Sequence, residues 1–222
     1  MTVKYMRNTF RWLLENTLWL AALAALAGFL VLARHISGAV ALHGDRLIHD
    51  WVTSFSSIPG MTVLARVVTH FGDPLAYVVF SVLVLAVFRN RHITGAIVVN
   101  IVNVGVLNLI LKHVVQRPRP DGLHLTEATG YSFPSGHAMA SLAFYGFLIY
   151  LMDIYVENKI LKYTGMFLLG CLTGGIGLSR IYLGVHYPSD ILGGYLISFV
   201  YLVVYIRFTR SYYRKERKSI HG

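Results

Sequence analysis

The run LLENTLWLAALAALAGFLVLA, residues 13 to 33, is long enough to cross a lipid bilayer, and several more like it follow. The hydrocarbon core of a bilayer needs about 20 apolar residues per helical crossing. Further spans are predicted at 93–114, 137–155, 161–180 and 188–207. A shorter run, 75–88, begins after Gly72-Asp73-Pro74, where Asp73 is expected to cap and Pro74 to open a helix. It makes a sixth crossing by tilting or by borrowing residues from 61–71. Composition agrees: the chain is 55% hydrophobic and 14% charged, whereas soluble domains carry about a quarter charged residues. The expected fold is all-α, a six-transmembrane-helix bundle formed as one domain over residues 1–222.

Smaller features complete the outline. Lys4, Arg7 and Arg11 precede the first run and Ala39-Val40-Ala41 follows it, as in a cleaved signal. The apolar stretch nevertheless exceeds the 7–15 residues of a signal core, so a retained anchor is expected. In GDRLIHDWVTSFSS, residues 44 to 57, Leu47, Ile48, Trp51, Val52 and Phe55 share one helical face opposite Arg46, His49, Asp50 and Ser54. That pattern describes an interfacial helix on the extracytoplasmic side. Asn100, Asn103 and Asn108 are polar groups inside a span and should face other helices. The lone Cys171 excludes an intrachain disulfide.

The formal charge of +10 at pH 7 follows topology. With the N-terminus inside, Lys4, Arg7, Arg11, Arg89, Arg91, Lys159, Lys162 and six cations of 207–218 fall on cytoplasmic segments. That is thirteen of the twenty, which puts both termini in the cytoplasm. The basic tail, 208–222, then faces anionic lipid, and nucleic acid is not an expected partner.

Four of the other cations cluster at outer span ends. Lys112 closes the third span, and Arg117-Pro118-Arg119-Pro120 follows. Proline restricts the residue before it to extended backbone, so the helix should stop near Gln116. The next span opens in YSFPSGHAMA with Ser135, Gly136 and His137; two crossings later the chain reaches Arg180, His186 and Asp190 on the same membrane face. A dianion suits several fixed cations together with helix N-termini, whose free N–H groups and dipole favour negative charge. Both PSGH and HYPSD open helices, so two such termini are expected at the site.

Two-metal hydrolysis needs several carboxylates, and only Asp121, Glu127 and Asp190 lie nearby in sequence. A metal-free, cofactor-free route through histidine fits better. His186 and Asp190 are one helical turn apart, so Asp190 can orient a neutral His186 as nucleophile. His137 then protonates the leaving oxygen and later activates water. Lys112, Arg119, Arg180, the Ser135 hydroxyl and the Gly136 amide hold the phosphoryl oxygens.

Lys112, six residues, then Arg119-Pro120 resembles the first signature of the type-2 phosphatidic acid phosphatases, the PAP2 family. Pro134-Ser135-Gly136-His137 is similar to the second. Ser179-Arg180, five residues, His186, three residues, Asp190 resembles the third. The resemblance covers about residues 40 to 207. It implies a membrane enzyme that dephosphorylates lipid phosphates without metal through a phosphohistidine, with His186 as nucleophile, Asp190 its partner and His137 the acid. Arg117 is an extra cation that the signature does not require, and it reads as part of a lid or an interface.

Vanadium-dependent haloperoxidases share these signatures but are soluble, which the spans oppose. A transporter would line its spans with charge, whereas these charges gather at one face. A scaffold with a dead site conflicts with a complete set of acid, nucleophile and cations. Undecaprenyl pyrophosphate, phosphatidylglycerol phosphate, phosphatidic acid and a lipid A phosphate all present the required group on a lipid from the membrane. The sequence does not choose among them, nor does it reveal an oligomeric state.

Overall fold

The computed structural model describes residues 2–37, 41–88, 91–121 and 124–220. Arg89 and Ala39-Val40 lie outside them, as do the side chains of 2–15 and 214–220. The described residues form eight α-helices: α1 Thr2–Ile36, α2 His43–Ser54, α3 Met61–His70, α4 Pro74–Phe88, α5 Arg91–Val115, α6 Gly136–Tyr155, α7 Lys159–Tyr182 and α8 Pro188–Ile220. The all-α expectation holds.

Five helices are long and apolar enough to cross a bilayer: Asn16–Ile36 within α1, α5, α6, α7, and Pro188–Arg210 within α8. α3 and α4 reach that length only together, and they meet at 58°. Counted as one span, the bent pair would make a sixth, broken crossing in which the short run at 75–88 borrows from the residues before it. The break has a cause in the sequence, because Pro74 has no N–H to offer the preceding turn. Phe71 and Gly72 close α3 with their amides on Val68 and Thr69. The protein is a multi-pass membrane protein.

α6 is the hub, packing on α5, α7 and α8, while α1 leans on α8 and both α2 and α3 lie against α7. Half of its membrane window is buried inside the protein, against 17–28% for the other four spans. That fits its residues, Phe144, Tyr145 and Phe147, which join Tyr77, Ile97, Ile176 and Leu202 in one apolar cluster. Outward, Leu20, Leu23, Val82, Leu109, Phe167 and Leu168 stay exposed, as lipid-facing positions should.

Polar groups within the spans are spent between helices. Asn100 is buried and donates to the Ala143 carbonyl of α6 at 2.7 Å, and Asn108 donates to the Pro134 carbonyl at 3.0 Å. Asn103 sits at an exposed position but is hydrogen-bonded with Tyr201 of α8. Tyr145 ties the α3–α4 break to the hub by donating to the Phe71 carbonyl at 2.7 Å.

The basic stretch beyond 207 is helical where it is described. α8 continues through it to Ile220, and Tyr213 is buried against Phe147, with ring centroids 5.9 Å apart.

Candidate active site

α5 ends at Val115, and Gln116 follows with φ 53, a left-handed residue at the helix end. The Arg-Pro-Arg-Pro segment then leaves the helix without regular structure, as the prolines favour. It folds back onto the chain leading into α6: Ser132 donates its amide to the Arg117 carbonyl at 2.9 Å and its hydroxyl to the Pro118 carbonyl at 2.9 Å. Gly184, at φ 76, turns the chain between α7 and α8 and brings His186 under this loop.

His186 is buried, and its Nδ1 lies 3.3 Å from Oδ2 of Asp190. The carboxylate can only accept, so the ring proton belongs on Nδ1. Nε2 keeps its lone pair, and Arg119 Nη1 approaches that atom at 3.3 Å. Arg119 is fixed by three carbonyls, donating to Gly130 at 3.0 Å, Thr129 at 2.7 Å and Val185 at 2.8 Å. Burial pulls the His186 pKa from 6.5 down to about 4; the Asp190 hydrogen bond opposes this, and Arg119 and Arg180 assist it. The ring is neutral at pH 7, as attack on phosphorus requires.

The opening of α6 forms the facing wall. Ser135 is its cap, accepting from the Ala138 amide at 3.5 Å, which leaves the hydroxyl proton free to donate. A Cβ at Gly136 would stand 3.0 Å from Oδ1 of Asn108, so a side chain there would crowd the turn. The Ser135 amide bonds the Asp190 carbonyl at 3.1 Å and locks the two halves together. Lys112 donates to the Tyr131 carbonyl at 2.6 Å. Arg180 is buried between α7 and α3, donating to the Thr69 hydroxyl at 2.9 Å, and its Nε is buried with no partner among the described residues. It bears electrostatically on both His137 and His186. All eight residues expected from the sequence stand at this one end of the bundle.

Three features were not foreseen. Arg117, read from the sequence as part of a lid or an interface, is buried between α2 and the start of α8. Its guanidinium is buried, bridging Asp190 Oδ1 at 2.6 Å and Asp45 Oδ2 at 2.8 Å, and it lies 4.0 Å from the Tyr187 ring centroid. Asp45, from the interfacial helix, also takes the Ser189 amide and hydroxyl, each at 2.8 Å. Its carboxyl is held below the usual range: burial would raise it, but Ser189 and Arg117 outweigh that.

The N-terminus of α8 is consequently occupied. Tyr187 gives its amide to Asp190 at 2.8 Å and Ser189 gives its amide to Asp45. Of the two helix termini expected at the site, the one at α8 has its amides taken by carboxylates of the protein itself.

Finally, Asp73 directs its side chain to imidazoles, not merely to a cap. Oδ1 lies 3.0 Å from His137 Nε2 and Oδ2 lies 2.7 Å from His70 Nδ1. No sequence motif announces either carboxylate, because packing delivers Asp45 from α2 and Asp73 from the break between α3 and α4. Even with both added, no group of three or more His, Cys, Asp or Glu able to hold a metal gathers among the described residues.

The family model of the PAP2 superfamily matches residues 93–214. The chain belongs to the PAP2 superfamily. It is 34% identical over 96 residues to phosphatidylglycerophosphatase B of Bacillus subtilis, a match spanning 41% of this chain and 46% of that protein, so somewhat under half of the relative is covered. It is 33% identical over 147 residues to decaprenylphosphoryl-5-phosphoribose phosphatase of Mycobacterium tuberculosis, covering 61% of this chain and 73% of the relative. Among solved structures it resembles a transmembrane PAP2-type phosphatidylglycerolphosphate phosphatase from Bacillus subtilis. That match has a TM-score of 0.72 at 24% identity, over 86% of this chain and 96% of the other, which establishes the shared PAP2 fold. Asp45, Thr69 and Asp73 all precede the segment that the PAP2 model matches.

Proposed function

We propose that this chain is an integral membrane phosphatase that removes the terminal phosphate of a lipid monophosphate or pyrophosphate through a phosphohistidine. The observation that carries the reading is the His186–Asp190 pair, 3.3 Å apart and buried, with the ring nitrogen not bonded to Asp190 turned to a fixed arginine. In the first step His186 Nε2 forms a bond to phosphorus while the bond to the lipid oxygen breaks, and His137 gives that oxygen a proton. Asp190 stabilises the charge that appears on the ring. In the second step water attacks the phosphoryl group, gives its proton to His137, and returns His186 to its neutral form. Lys112, Arg119, Arg180, the Ser135 hydroxyl and the Gly136 amide hold the non-bridging oxygens. Such fixed donors act most strongly on the charge of the transition state.

The domain is read as one unit over residues 1–222, with its termini cytoplasmic and the site at the extracytoplasmic rim of the cell membrane. The substrate class is a phosphate on a polyprenyl or glycerolipid tail, as in undecaprenyl pyrophosphate, phosphatidylglycerol phosphate or phosphatidic acid. The names of its relatives and the lipid-facing body of the bundle support this. A lipid A phosphate would use the same mechanism.

The test is phosphate release by the purified full-length chain in detergent, with chelator present, from those four lipids at matched surface concentration. Turnover of at least one of them, with an acid-labile, alkali-stable phosphoenzyme lost in His186→Ala, is expected. Strict dependence on added magnesium, or an intact chain inert on all four, would overturn it.

A further inference from the structure

We infer that Asp73 is the positioning residue for His137, which gives the site a second carboxylate–imidazole pair opposite His186–Asp190. This rests on the reading of His137 as the acid and deepens it. Oδ1 of Asp73 meets His137 Nε2 at 3.0 Å, an ordinary hydrogen-bond distance. An ionised carboxylate accepts only, so it holds a proton on Nε2 and stabilises the imidazolium over the neutral ring. Nδ1 is then the atom that gives up a proton as the bond from phosphorus to the lipid oxygen breaks. The same atom takes one from water as the bond from phosphorus to His186 breaks. The proton on Nε2 stays with the Asp73 pair throughout, so each half-reaction moves one proton and the ring ends as it began.

The surroundings make this placement a built one. Pro74 breaks the α3–α4 pair at 58°, and the Tyr145 hydroxyl holds the break to α6 through the Phe71 carbonyl at 2.7 Å. Gly72 packs so closely on the ring that a Cβ there would stand 2.7 Å from His137 Cδ2. Thr69, one turn earlier, holds Arg180 at 2.9 Å. One broken crossing thus supports both the acid and a phosphate-binding arginine, although the three family signatures contain none of its residues.

The experiment compares kcat/KM for an alkyl lipid phosphate, phosphatidic acid, with that for an aryl ester, p-nitrophenyl phosphate, using the full-length chain in detergent. An alkoxide needs the acid to leave and a nitrophenolate does not, so the ratio of the two reads acid catalysis alone. Acid–base assistance contributes about 10²–10⁴-fold. Asp73→Asn keeps a good helix-capping side chain and nearly the same shape. It should lose about 10²-fold on phosphatidic acid and less than about 10-fold on the aryl ester. His137→Ala should show the same split more deeply, and Asp73→Asn added to it should cause no further change in the ratio. His70→Gln, which removes the other partner of Asp73, should leave the ratio as in the parent. Equal losses on both esters in Asp73→Asn, or independent effects in the double variant, overturn the inference while the His137 assignment stands. Absence of the split in His137→Ala overturns both. A fold defect lowers both esters together, so it cannot imitate the expected split.

Discussion

Arg117 meets Asp190 at 2.6 Å with both side chains out of solvent, and its other nitrogen meets Asp45 at 2.8 Å. The carboxylate that orients His186 is thus gripped from behind by a cation that is itself gripped by the interfacial helix. Removing one partner of a buried pair leaves the other charge unpaired, typically a loss of about 3–5 kcal/mol. Arg117→Met should lower the unfolding midpoint and cut turnover together, and Arg117→Lys should not restore either, since one ammonium cannot reproduce the planar fork. Denaturation in detergent of Arg117→Met, Asp45→Asn and the double variant checks this. The double variant should lose less than the two singles added.

Asp190→Asn keeps the shape beside His186 but no longer fixes the proton on Nδ1. Turnover should fall about 10³–10⁴-fold, as expected when an imidazole loses its orienting carboxylate. His186→Ala should fall to background. Steady-state rates alongside phosphoenzyme labelling test the pair, and Asp190→Asn should still label, slowly.

The buried His186 makes a prediction with a definite sign. Its folded pKa is about 4, and in an unfolded chain histidine titrates near about 6.5. Between those values the unfolded chain binds a proton that the folded chain refuses. The contribution of this group to stability is therefore complete above about 6.5 and is lost progressively as pH falls toward about 4. Once the ionisation of the substrate is divided out, the acid limb of kcat/KM from His186 should also lie near 4. A limb near 6.5 would mean that the ring is solvated.

Gly72→Ala would put a methyl group 2.7 Å from His137 Cδ2 and 2.8 Å from Ile176 Cγ2. One of these must move. A displacement of about 1 Å at a reacting group can reduce rate about 10²-fold, so turnover of phosphatidic acid should drop by about that factor. Size-exclusion behaviour and melting should change far less.

Arg180 has a buried Nε without a partner among the described residues, a donor suited to an anion. Inorganic phosphate should raise the melting temperature by mass action. In Arg180→Gln that rise should vanish, whereas in Lys162→Gln, far from the cradle, it should persist.

The sequence by itself determined the all-α membrane class, the five long apolar spans, the stop near Gln116 and the meeting of eight polar residues at one end of the bundle. These were readable because apolar run length, proline and local motif spacing act through neighbours in the chain. The bend between α3 and α4, the burial of Arg117, the occupied α8 terminus and the partners of Asp45 and Asp73 were decided only by tertiary structure. Asp45 meets Ser189 across 144 positions, and Asp73 meets His137 across 64. Partners so far apart leave no periodic trace in the chain. A buried carboxylate takes whichever donor packing brings to it, since leaving it without one would be strongly unfavourable.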